Sequence, residues 1–504
     1  MKESGRLPSI VPSWLAARRY EALIVVVFVA SRFAFSIFGV RFDTGPLNYA
    51  GQILDPGRLR GDLFGAIANL HTQPPLFNLF IGLVLRVPYS WEAPTFHLVY
   101  LVLGLALALG AYGVLRRFGV GPKVAVALAI ALILSPSVVL FENWLLYDYP
   151  VMVLLVLAVL ALQRFEDRHA SRDAVAFLGL LAVLVLTRSL FNLLWLLLWA
   201  GLLMLHRRHA DWRRIAVIAA VPILAVVAMQ ANNARISGGF TSSSSLGVSL
   251  SKVTTFQLTD DLRQELVDEG QLSPLAMVYP LSPVSSYRGL VPPRPPTGVG
   301  VLDDEMKGGY HDALISPNLN NILFVDVSNG ALRDARRTLQ ISPRAYLRGM
   351  ATAYDLFFRP GSDVLSGSPN ADGVAWLQPV YRVVYGVTSQ QGHLSGPDPR
   401  VQYRQASTGT AWLLVVAYAV ALMGGLWGLW RCRRGDIVGQ PPLVLAFLWS
   451  TIAYVVVLSN AVEVGENTRF QMYTEPLVIL LVAALVVLMR RRRAGTALTT
   501  SSDI

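Results

Sequence analysis

Cysteine is nearly absent from this chain. Cys432 is the one thiol in 504 residues, so no intrachain disulfide, metal-thiolate site or redox pair can form. Charge is scarce too. Only 15% of the residues are Asp, Glu, Lys or Arg against 54% hydrophobic, a balance that excludes an ordinary soluble domain and marks a polytopic membrane protein. Lysine is scarcest of all, with Lys2, Lys123, Lys252 and Lys307 standing among 43 basic residues. No small-residue cleavage site follows the first apolar run, residues 21–40, which is therefore read as an uncleaved helix. No internal repeat is evident, which counts against an inverted-repeat transporter.

What is present is a series of apolar runs with arginine between them. The net charge of +11 comes in short clusters, at Arg116-Arg117, Arg207-Arg208, 431–434 and 490–493, and such clusters are topology signals, so no nucleic-acid partner is expected. Runs of bilayer-spanning length lie at 21–39, 95–115, 124–141, 149–165, 173–187, 189–206, 215–231, 409–430, 441–459 and 474–489. The run 73–87 is set apart by Pro74-Pro75, which suit the start of a helix better than its interior. If it lies in the interface, the Arg-rich connectors all fall on the cytoplasmic side, as the positive-inside rule requires. About ten transmembrane helices then result, with both termini inside.

The long connector 232–408 faces outward on this scheme. It carries as many acidic as basic residues, is rich in Ser, Pro and Gly, and reads as a mixed extracytoplasmic domain. It separates an N-terminal transmembrane module, 1–231, from C-terminal helices and a basic tail, 409–504. Within it, residues 331–358 predict two amphipathic helices broken at Pro343 and resting near lipid headgroups.

The same topology gathers the polar clusters on one face. Asp43 follows the first span, and Glu142-Asn143-Trp144 with Tyr147-Asp148 link the third and fourth. Arg188 sits in the next such turn, and Glu463, Glu466 and Arg469 precede the last span. Ionisable groups at membrane depth are costly and tend to be functional or paired, so their convergence predicts a shared polar site. Read alone, Asp43 is an N-cap for a helix starting near Pro46. Asp148 likewise reads as a cap or a functional acid, Arg188 as a snorkelling cation or a phosphate ligand, and His71 as a loop histidine. Tyr310-His311-Asp312 and Asp303-Asp304-Glu305 have no spacing specific to a metal.

In layout the sequence resembles the GT-C superfamily of membrane glycosyltransferases, close to bacterial lipid A aminoarabinose transferases and protein O-mannosyltransferases. The resemblance is carried by Asp43 with Asn48-Tyr49 in the first loop, by Pro74-Pro75-Leu76-Phe77, by Asp148 at the start of the fourth span, by Arg188 and by Arg469 with Pro476. It covers residues 1–230 well and 460–490 loosely. The chain departs from the pattern at Thr44, Gln73 and Arg188, where the family often has Glu, Lys and Lys.

The resemblance implies a helical polytopic, GT-C-like fold and an enzyme. It would move a sugar from a polyprenyl-phosphate-linked donor to a hydroxyl of a glycan, lipid or protein acceptor, on the outer face of the bacterial cytoplasmic membrane. Direct displacement would invert the anomeric centre. Asp43 and Asp148 are the implied catalytic acids, with Asp43 as general base. Tyr49, His71, Gln73, Glu142, Arg188, Glu466 and Arg469 are the candidate substrate-binding residues, the cations among them opposing the phosphate. No cofactor is specified, and a divalent cation is left open because some members of the superfamily use one and others do not. Membrane lipids are the remaining partner. The rival expectation is a non-enzymatic lipid or polysaccharide carrier or flippase with an outer recognition domain.

Overall fold

The computed structural model describes residues 18–206, 212–310, 316–365, 368–387, 409–434 and 442–500; Arg207, Arg208, His311 and Asp312 lie outside them. The protein is a helical polytopic membrane protein. Helix α1 (Arg19–Ile37) leads into a loop of short helical turns ending at α2 (Leu76–Val84). Then come α3 (Tyr89–Arg117), α4 (Pro122–Leu134), α5 (Pro136–Glu142), α6 (Asp148–Arg168), α7 (Ser171–Thr187), α8 (Leu193–His206) and α9 (Trp212–Ser237). Beyond these lie α10 (Leu246–Val253), α11 (Leu323–Ile341) and α12 (Pro343–Phe357). The last three are α13 (Trp412–Arg433), α14 (Pro442–Val462) and α15 (Asn467–Thr500).

Among the described residues seven helices are long and apolar enough to cross a bilayer: α1, α3, α6, α9, α13, α14 and the first part of α15. The pair α4 and α5, bent by 58° between them, is together long and apolar enough to make an eighth. The bend follows from Pro136, which forces Ser135 into an extended conformation (φ −56°, ψ 129°) and removes a helical donor. The other two predicted spans fall in α7 and α8, which have 17 and 14 residues. Helix α2 has nine residues, about 14 Å of rise, too short to cross. That agrees with setting 73–87 apart from the spans.

Helix α6 occupies the centre, enclosed by α3, α7 and α15, because it is apolar on nearly every face. Its basic end lies beside that of α3, where Arg117 pairs with Asp167. The opposite end of the bundle carries the loops 38–75, 143–147, 188–192 and 463–466, together with the segment that holds α10 to α12.

Helices α11 and α12 form the expected pair, with the break at Ser342 just ahead of Pro343. Their apolar faces pack on protein, chiefly α10, α14 and α15: Ala335, Ala345, Ala353 and Leu356 are buried and Leu347 is left exposed. The approach of α10 to α11 depends on glycine. A Cβ at Gly247 would stand 1.8 Å from the Ser328 carbonyl oxygen, so no larger residue fits without separating the helices. The one sheet among the described residues is a pair of two-residue antiparallel strands, Met306–Lys307 and Ser316–Pro317.

Candidate functional site

Several segments meet at the loop end of the bundle around a cavity of about 620 Å³. Gln52 and Gln73 come from the first long loop, Arg188 from the α7–α8 turn, Ser242 to Ser245 and Lys252 from the region of α10, and Glu463 and Glu466 from the α14–α15 turn. Leu190, Leu193, Leu194, Leu458 and Val462 give it an apolar wall. A volume of that size suits a small organic ligand.

The charged groups form one network. Glu466 accepts from Arg188 Nη2 (2.8 Å), Arg469 Nη1 (2.7 Å) and Gln52 Nε2 (2.8 Å). Burial would raise the Glu466 pKa, but Arg469, Arg188 and Lys252 outweigh it and hold the carboxyl down at about 2. Glu463 pairs with Lys252. Its pKa is raised, first by burial and then by Glu466, against the pull of Lys252. Arg188 also donates to the Tyr147 hydroxyl and lies over that ring at 4.7 Å.

Asp148 and Arg469 anchor the network from α6 and α15. Arg469 Nε and Nη2 both donate to Asp148 Oδ2 (3.0 and 2.8 Å), and the Tyr473 hydroxyl donates to Oδ1. Asp148 is therefore not a helix cap. Arg469 and Tyr473 are four residues apart on one face of α15, which lets both reach the same carboxylate.

Asp43 differs from every other acid predicted for the site. Its backbone is pinned to the α5–α6 connection, with N–H donating to Asn143 O (2.8 Å) and C=O accepting from Leu145 N (3.0 Å). Its side chain accepts from the Gly45 N–H (2.7 Å), a local turn that replaces the expected cap at Pro46, and no cation pairs with it among the described residues. Burial pushes its carboxyl above the ordinary carboxylate value, against the pull of that Gly45 N–H. Asp43 is not in the cavity lining. It connects to it by contact: Trp144 bridges to Asp43, donates to the Tyr49 hydroxyl (2.8 Å) and carries Arg469 over its ring at 5.6 Å.

Of the predicted residues, Gln73, Arg188 and Glu466 line the cavity, while Arg469, Asp148 and Tyr49 stand behind it or beside it. His71 is buried next to it. Its Nδ1 meets Ser244 Oγ (2.7 Å) and its Nε2 meets Asn320 O (3.0 Å), and burial lowers its pKa to about 4, so it is neutral and holds the serine run in place. Glu142 is not brought to the site. It is fully buried in a pair with Arg32, at 2.8 and 2.7 Å, and takes a third bond from the Tyr149 hydroxyl. Gly104 on α3 makes room for this cluster, since a Cβ there would stand 2.3 Å from Glu142 Oε2.

Lys252, Gln52, Tyr473 and the serine run were not singled out from the sequence. Lys252 had one available signal, its rarity: two of the four lysines, Lys252 and Lys307, turn out buried in the long connector. Among the described residues no group of three or more His, Cys, Asp or Glu is placed to hold a metal.

Comparison with known proteins adds likeness in structure alone. The chain is similar to ArnT from Cupriavidus metallidurans in the apo state, at 16% identity over 92% of this chain and 77% of that one, with a TM-score of 0.29. It is similar to the same protein bound to undecaprenyl phosphate, at 15% identity over 94% and 78%, with a TM-score of 0.30. At these TM-scores the likeness carries no weight on chemistry, which has to come from the residues of this chain. No family model and no curated protein matches it.

Proposed function

We propose that this protein is a membrane glycosyltransferase that takes a sugar from a polyprenyl-phosphate carrier and passes it to an acceptor hydroxyl. The observation that carries this is the cavity, whose lining joins Arg188 and Lys252 with Leu190, Leu193, Leu194 and Leu458. Fixed cations beside an apolar face suit an anionic headgroup on a prenyl chain.

In the proposed step the acceptor oxygen forms a bond to the anomeric carbon as the bond from that carbon to the phosphate oxygen breaks. The electron pair leaves with the polyprenyl phosphate, whose charge Arg188 and Lys252 would oppose. The acceptor's proton goes to Asp43, which is uncommitted to any cation and is raised in basicity by burial. A single displacement of this kind inverts the anomeric centre. Asp148 is assigned to holding Arg469. The Arg-rich ends of the spans support a site on the outer face of a bacterial cytoplasmic membrane.

The bend at Ser135 favours the rival carrier reading, because broken spans are common in transporters. Against it, the charged residues collect at the loop end of the bundle and the cavity is lined from loops and helix ends.

The test is binding of polyprenyl phosphate to the purified protein in nanodiscs, followed by sugar release and transfer. Arg188→Ala should weaken carrier binding by roughly 10-fold to 100-fold, the worth of a charge-assisted hydrogen bond of about 1.5–3 kcal/mol. Carrier transport across vesicles without any sugar transfer would overturn the enzymatic reading.

A further inference from the structure

Late in the connector 232–408 lies a short helix, Gln378–Tyr385, whose polarity runs inside out. Its polar residues turn inward: Gln378, Tyr381 and Arg382 are half-buried and Tyr385 is buried. Its apolar residues turn outward. Val380 is 58% exposed, Val383 76% and Val384 57%, with Trp376, 52% exposed, one turn before them. These positions recur at helical spacing and make one apolar stripe. A surface helix in water is built the other way round, and one bounded by acyl chains is built like this.

The polar side serves the bent span. Pro136 brings no N–H to α4, so the Ser135 N–H turns to Leu132 O (3.2 Å) and Ala131 O loses its helical donor. The Tyr381 hydroxyl takes that place and donates to Ala131 O. Arg32 Nη1 does the same for Ile133 O (3.0 Å). The Tyr385 hydroxyl lies 3.0 Å from Ser135 Oγ at the break and donates to Glu475 Oε1 of α15 (2.8 Å). Hydrocarbon offers no donor, so a span breaks at membrane depth only where protein supplies one.

The stripe also lies between two surfaces that the bilayer must cover. Trp376 packs on Phe35 and Phe38 of α1, with ring centroids 6.0 and 5.4 Å apart, and Phe33 and Ile37 of that helix are exposed. At the other end the Trp412 N–H donates to Gly386 O (3.3 Å), which joins the short helix to the start of α13, where Trp412, Leu413 and Val416 are exposed. Both α1 and α13 are long and apolar enough to cross the membrane.

We infer that residues 376–386 are a membrane-embedded part of the connector, with the apolar stripe seated on lipid acyl chains of the leaflet at the loop end and the two tyrosines closing the bent span. The rest of the connector is polar, and this stretch alone is assigned to the bilayer. The stripe meets lipid whether the cavity serves a transferase or a carrier, so its test is separate from that of the proposed function.

The experiment uses the full chain in nanodiscs with Cys432→Ser, which removes the one native thiol. A spin label is placed on Val383→Cys or, as an exposed reference in the polar part of the connector, on Glu269→Cys. At position 383 collisions with dissolved oxygen should exceed those with a water-soluble nickel chelate, and at 269 the order should reverse, a severalfold change in their ratio. Equal ratios at the two positions put the stripe in water and overturn the inference. Low access to both reagents at 383 also overturns it, because protein then covers the stripe: a second copy if labels on two chains couple, another part of the same chain if they do not. Tyr381→Phe removes only the donor to Ala131 O and should lower the melting temperature, and an unchanged one overturns the part given to that tyrosine.

Discussion

Asp43 and Trp144 are joined main chain to main chain as a parallel bridge, so the aspartate is positioned by its backbone and its carboxylate is not needed to hold the loop. This separates structure from chemistry at one residue. Asp43→Asn keeps an acceptor for the Gly45 N–H but cannot take a proton at neutral pH. Transfer should fall by about 10²–10⁴-fold.

Stability should not fall with it. The folded pKa of Asp43 is raised, so any favourable contribution is present below the unfolded value and is lost as pH rises through the folded one. At neutral pH the charge is a cost that asparagine removes, and the melting temperature of Asp43→Asn should equal or exceed that of the parent. Transfer by the parent should fade on acidification at a pH above the usual carboxylate value. Near-parental turnover by Asp43→Asn would return Asp43 to a turn residue.

His71 makes a prediction in the opposite pH direction. Its pKa is lowered from 6.5 to about 4 by burial, so the native protein favours the neutral ring. Its contribution is complete above about 6.5 and is lost as pH falls toward 4. Melting temperature measured from pH 7 to pH 4.5 should drop more steeply for the parent than for His71→Asn, which keeps a polar atom near Ser244 and does not titrate. Parallel curves would show that His71 is not the group responsible.

Glu142 was expected at the substrate, and the Arg32 pair gives it another task. Glu142→Gln leaves a buried guanidinium without its counter-ion, a loss of about 3–5 kcal/mol. Folded yield and melting temperature should drop while the protein that remains binds polyprenyl phosphate normally. Intact stability with lost binding would move Glu142 back to the site.

Much of this arrangement was legible in the sequence, for reasons that can be named. Arginine clusters mark helix ends whatever the packing, so the spans and the clustering of Asp43, Asp148, Arg188 and Glu466 at one end followed from charge and hydropathy. Pro343 showed where α11 would stop because a proline cannot continue the hydrogen-bond ladder. Partner choice was hidden. Glu142 and Glu466 look alike as loop acids, and what separates them is that Arg32 lies 110 residues from one and Arg188 lies 278 from the other. The burial of Lys252 also depends on α10 packing against α11 through Gly247, which no local pattern reports.

The Arg32–Glu142 pair sets a timetable for biosynthesis. Arg32 enters the bilayer with α1, and its counter-ion is made only 110 residues later. Until then the guanidinium has Ser31 Oγ, 3.0 Å from Nη1, and the Phe28 ring, 4.2 Å away, as company on its own helix. The newborn first helix is thus a poor anchor that the bent span must rescue, so the insertion machinery has to retain it meanwhile. Ribosome-stalled chains ending before residue 142 should be extracted from membranes by alkali, and chains long enough to insert α5 should resist; early resistance would show that α1 is secured without its partner.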